Sequence, residues 1–163
     1  MTTLLRRLAL VSAWLGALVA LLCAVMVVVS ISSRALWAQP IQGDVEITQL
    51  LIAVAISLGL PWCQWRRANI IVDFFTQHAA PALQRRLDAI GCLLLAAMGL
   101  LLAWRTGAGA MAVREAGETT MVLALPMWWS YAALAPGLAL AALIALHQAW
   151  QHLRLVPMEE QAA

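Results

Sequence analysis

Four long apolar runs separated by short polar stretches set the pattern of this chain. Residues 8–33 carry no charge, and the pattern predicts a first helix over 8–31. A polar connection, 32–44, follows and contains Pro40 and Gly43, both breakers of regular structure. The second uncharged run predicts a helix over 47–65. A third run, 89–104, is short for a span of roughly 20 residues. It reaches 86–106 if its first turn is included, with Arg85 and Arg86 snorkelling towards the headgroups. A fourth run, 119–153, predicts a helix over 127–150, with Pro126 near its start and a kink at Pro136. The first run is too long for a secretory core of about 7–15 residues, so an uncleaved helix is expected.

The middle of the chain interrupts this pattern. Residues 65–75 read WRRANIIVDFF, joining Arg66 and Arg67 to a short apolar segment with one acid. Ile70, Ile71, Phe74 and Phe75 recur near helical spacing, and Pro81 follows. A short interfacial amphipathic helix is expected there. The fold class is therefore an all-α integral membrane protein. It has four transmembrane helices, with the interfacial helix between helices 2 and 3, in one domain over 1–163. Residues 157–163 are expected to be a disordered tail.

Composition agrees with the pattern. Of 163 residues, 64% are hydrophobic and 11% charged, against about 25% charged in an ordinary soluble domain. A net charge of +2, without basic clusters interleaved with aromatics, argues against nucleic acid as a partner. The lipid bilayer is the expected surroundings. Cys23, Cys63 and Cys92 form no CxxC pair and read as small packing residues. All the basic residues are arginines, and their distribution sets the orientation. Arg6, Arg7, Arg66, Arg67, Arg85, Arg86 and Arg154 fall on one side of four spans, and Arg34, Arg105 and Arg114 on the other. The arginine-rich side, with both termini, is expected in the cytoplasm. Tryptophans 37, 62, 65, 104, 128, 129 and 150 lie near predicted helix ends, where indoles favour the headgroup level.

Candidate chemistry is sparse. No Asp, Glu, Lys or Arg lies near the middle of any of the four predicted helices, which disfavours a carboxylate-driven transporter with its own site. His78, His147 and His152 read as interfacial polar residues. No phosphate loop, HExxH or GxSxG is present, so no catalytic, metal or cofactor residues are expected. Glu46 opens the second helix, where a carboxylate suits the macrodipole. Small residues recur every four positions in the first helix (Ser12, Gly16, Ala20, Ala24) and in the fourth (Ala133, Gly137, Ala141, Ala145). Such stripes let helices approach closely in lipid, so helix packing is their expected role.

In this order the residues resemble the small membrane subunit, DctQ type, of tripartite ATP-independent periplasmic (TRAP) transporters. Arg34 follows the first helix, Glu46 opens the second, and Gly59 lies late in it. The central family pattern is arginine-x-x-His-Ile-x-Val-Asp. Arg66, Ile70, Val72 and Asp73 match it, while Asn69 replaces the histidine. Gly117, Thr120, Pro126, Trp129, Tyr131, Pro136 and Gly137 follow the family's spacing. The resemblance covers roughly residues 10–150. It implies a non-enzymatic subunit of the bacterial inner membrane, working with a large TRAP membrane subunit and a periplasmic substrate-binding protein in sodium-coupled uptake, often of carboxylates. The sodium site is then expected in the large subunit. The small subunit would act as a scaffold and help form the docking surface, for which Glu115 and Glu118 are candidates. The alternative reading is a membrane anchor or haem-binding subunit of a respiratory enzyme complex.

Overall fold

The computed structural model describes residues 2–39, 41–67 and 81–153, and among these every regular element is an α-helix. They are α1 (Thr2–Trp37), α2 (Asp44–Trp65), α3 (Pro81–Ala116) and α4 (Trp128–Leu153). Each holds a stretch long and apolar enough to cross a membrane. The expected interfacial helix and the tail after Pro157 fall outside the described residues. Pro81, expected to close that helix, instead opens α3. This is a position where a missing N–H costs nothing, because the first turn has no carbonyl to bond.

α1 and α3 outrun their apolar segments. Each has 36 residues, or about 54 Å at the α-helical rise, against a hydrocarbon core of about 30 Å. Nothing in 32–37 stops α1, and the alanine-rich 105–116 favours continued helix. α3 ends where Gly117 takes a left-handed φ of 65°. The Gly117 N–H then bonds the Arg114 carbonyl at 3.2 Å, and the Glu118 N–H bonds that of Val113 at 3.2 Å. This pair of bonds is the Schellman ending.

The helices do not close into a square. α1 packs on α2, α2 on α4, and α4 on α3, whereas α1 touches α4 only slightly and neither α1 nor α2 contacts α3. The spatial order is thus a row, α1–α2–α4–α3. One glycine marks each seam. A Cβ on Gly16 of α1 would lie 2.9 Å from the Ala55 carbonyl oxygen of α2. A Cβ on Gly99 of α3 would lie 2.9 Å from Cβ of Ala142 on α4. A Cβ on Gly137 of α4 would run into Ser57 Oγ and the Ser57 carbonyl of α2. Lipid tails are as apolar as leucine, so burying leucine gains little there; close backbone packing of this kind holds helices together.

α1 packs with a different period from the one its small residues suggest. Ala9, Gly16, Cys23 and Ser30 are buried, seven apart, with Ser12 buried between the first two. Ala20 and Ala24 are exposed. A seven-residue repeat keeps one stripe against a partner crossing at a shallow left-handed angle, and a four-residue repeat drifts off it. In α4, Gly137 and Ala145 are buried and Ala133 and Ala141 half-buried.

Candidate functional site

The row has two polar ends and one polar clamp. At the loop end, where α1 and α3 finish, Asp44 opens α2. Its Oδ2 accepts a hydrogen bond from Ser30 Oγ at 2.6 Å and lies 3.6 Å from Arg34 Nη2. Gly43 precedes it with φ 72°, and its bare Cα leaves room for the Leu123 side chain, which a Cβ there would overlap. Two residues on, Glu46 accepts hydrogen bonds from the N–H groups of Val122 at 2.8 Å and Leu123 at 3.1 Å.

Those two amides sit at the tip of a folded loop between α3 and α4. Thr119 and Pro126 form an antiparallel bridge. The Thr120 N–H bonds the Leu125 carbonyl at 2.9 Å, and the Met127 N–H bonds that of Glu118 at 3.1 Å. Thr120 Oγ1 in turn accepts from the Leu125 N–H at 3.1 Å. Glu46 therefore does more than suit the macrodipole of α2: it fastens the α3–α4 loop to α2 through otherwise unpaired backbone donors. Met121, at the tip, is fully exposed. Removing the carboxylate charge in Glu46→Gln should loosen this tip. The Val122 and Leu123 amides are expected to exchange with deuterium faster than in the parent, while amides in the middle of α2 keep their rates. Unchanged exchange at both tip amides would show that the loop holds itself.

The structure thus gathers Arg34, Glu46, Gly117, Thr120 and Pro126 at one end, although they are spread over more than ninety positions of sequence. Glu115 and Glu118 lie at the same end and are exposed. So does Arg114, whose guanidinium sits 5.1 Å from the Trp128 ring centroid, a cation–π distance. Trp128 meets Trp129 edge-on at 6.2 Å.

The clamp joins α2 to α4. Gln64 Nε2 donates to Gln148 Oε1 at 2.8 Å, and Gln148 Nε2 donates to the Gln64 carbonyl at 2.9 Å. Both side chains are buried. Towards the middle of the row, Ser57 Oγ donates to the Leu134 carbonyl at 2.7 Å. Residue 61 is proline and cannot donate to the Ser57 carbonyl. That freed carbonyl is the one that meets Gly137. Sequence reading searched the spans for charged groups and so passed over Ser57, Gln64 and Gln148. Their signal was a neutral polar side chain within an apolar run, which in lipid must find a partner.

At the arginine end, Arg66 is exposed just past α2 and its N–H bonds the Trp62 carbonyl at 2.9 Å. Arg67 is half-buried. Burial pulls its guanidinium below the ordinary value, and the negative charge of Asp88 acts the other way. His152 Nδ1 lies 4.0 Å from Asp88 Oδ2. His147 Nε2 lies 3.3 Å from Gln151 Nε2. Asn69 and Asp73 fall outside the described residues. Gly59 lies on α2, where a Cβ would meet nothing within 4 Å. Pro136 is exposed within α4.

No cluster of three or more potential metal ligands occurs among the described residues. Comparison with curated proteins and with solved structures found no match. The family model for the DctQ component of tripartite ATP-independent periplasmic transporters matches residues 23–155. That span takes in both the loop-end cluster and the α2–α4 clamp. This chain, a multi-pass membrane protein of four apolar helices, therefore belongs to the DctQ family, the small subunit of TRAP transporters.

Proposed function

We propose that this chain is the small permease subunit of a sodium-coupled, binding-protein-dependent uptake system for a carboxylate, and that it scaffolds the large membrane subunit. The observation that carries this reading is how the polar side chains inside the row are used. Ser12, Ser57, Gln64 and Gln148 each hydrogen-bond within the protein. Ser57, Gln64 and Gln148 join α2 to α4, and Ser12 bonds back to the Ala9 carbonyl within α1. The substrate and sodium sites then belong to the large subunit. The loop end, with Glu115, Glu118 and the tip held by Glu46, is the part of this chain offered to the periplasmic binding protein. The arginine distribution supports that orientation, because cytoplasmic loops carry the excess of basic residues.

Reconstitution tests the role. Proteoliposomes holding this chain alone should take up no carboxylate under a sodium gradient, even with the binding protein present. Adding the large subunit should restore uptake. Sodium-dependent uptake by this chain alone would refute the scaffold reading. Orientation is tested by cysteines at 42, 116 and 77: a periplasmic reagent should label the first two and miss the third. Labelling at 77 would invert the topology.

A further inference from the structure

Because α1 and α3 lie on opposite flanks of the α2–α4 pair, the face of α4 between them is a trough at the arginine end. It has a volume of about 670 Å³ and is walled by Leu5 of α1, Leu93 of α3, and Leu143, Leu146, His147 and Trp150 of α4. This size falls within the range of ligand sites, about 300–1,000 Å³. Its wall is almost wholly hydrocarbon, with the His147 ring and the Trp150 indole as its polar points.

Its mouth is cationic. Arg86 precedes Leu93 by seven residues, which places it on the same face of α3 about two turns nearer the helix start. Arg86 is exposed. Among the described residues this end carries one acid, Asp88, and it faces His152 and Arg67. An apolar trough that opens beneath an arginine matches one kind of molecule: a hydrocarbon chain ending in a negative phosphate. Basic pockets between transmembrane helices take anionic lipid headgroups in this way.

We propose that this trough is a binding site for an anionic phospholipid. One acyl chain lies along Leu93, Leu143 and Leu146, and the phosphate meets Arg86. A lipid seated there fills the gap left between α1 and α3 by the open row. It ties together the two flanking helices, which make no direct contact with each other.

The test uses the full chain in nanodiscs of phosphatidylcholine doped with phosphatidylglycerol, read by native mass spectrometry. One phosphatidylglycerol per chain should be retained, with a preference of about tenfold or more over phosphatidylcholine. R86Q removes charge at the mouth without touching the wall and should cut that preference about fivefold. L93W fills the trough and should lower retention of both lipids, with helicity unchanged. Equal retention of the two lipids, an unaltered preference in R86Q, or full retention in a folded L93W would each overturn the proposal. So would efficient crosslinking of L143C to the large subunit in the co-expressed complex, because a partner helix would then occupy the trough.

Discussion

Gly137→Leu is expected to separate α4 from α2 and to lower the thermal stability of the chain in detergent more than any other single change to its seams. The reason lies in what the new side chain would meet. A Cβ at 137 already overlaps Ser57 Oγ, the Ser57 carbonyl oxygen and its carbon. Two of those three are backbone atoms of a helix and cannot swing aside. Overpacking costs about 1–3 kcal/mol, occasionally more, and a rigid obstacle places this site at the upper end. The change would also pull Ser57 from the Leu134 carbonyl, since the hydroxyl and the new side chain compete for the same space. Gly137→Ala is expected to destabilise as well, although alanine ordinarily stabilises a helix over glycine. Gly91→Ala supplies the control. It meets nothing within 4 Å, so there the helix-propensity gain of about 0.5–1 kcal/mol should appear. Equal melting temperatures for Gly137→Leu and the parent would show that the α2–α4 seam is not close-packed.

The second large effect is expected at Gln148. Gln148→Leu removes the acceptor for the Gln64 side chain and a donor to the last carbonyls of α2, all in a buried setting. Leaving a buried polar group without its partner costs about 1–3 kcal/mol. Interhelical hydrogen bonds in membranes run lower, averaging about 0.6 kcal/mol, so a loss of about 2 kcal/mol is expected for the set. Gln64→Leu removes the side chain-to-side chain bond but leaves Gln148 its carbonyl partner, and should cost about half as much. The double variant should cost less than the sum of the two, because neither amide is then stranded. Unfolding in detergent across this cycle measures the coupling. Strict additivity would mean that the two glutamines act separately.

Much of the fold was legible in the hydrophobic runs, because a span needs an uninterrupted apolar length and four such lengths stand out. The ends were less so. α1 and α3 continue past their apolar runs because helix stops at a local signal, the left-handed Gly117 for example, and not at the edge of the oily stretch. The order of the helices was not legible at all. Contacts among four apolar helices are chosen by fine surface shape, at Gly16, Gly99 and Gly137, and hydropathy is blind to shape. The small-residue reading located Gly137 and Ala145 on a buried face. It missed the period of α1, since abundant alanine draws a stripe at almost any spacing. At the loop end, the family spacing marked Glu46 and Thr120 individually. Their meeting depends on a loop that returns to α2, which one-dimensional spacing does not show. The glutamine clamp was overlooked because neutral amides do not register in a search for charge.

The row also dictates the order in which the molecule becomes whole. While the chain is being made, α1 and α2 can pair as soon as both are in the bilayer. α3, which comes next, touches neither of them. It stays unpacked against them until the last helix arrives and slips between it and the first pair. A polypeptide cut short before residue 128 is therefore a hairpin and a helix that do not pack on each other, linked only by the connecting chain and by the loop that Glu46 holds. Only a finished chain forms one body, so incomplete products are separated from complete ones by geometry alone, before any partner subunit is met.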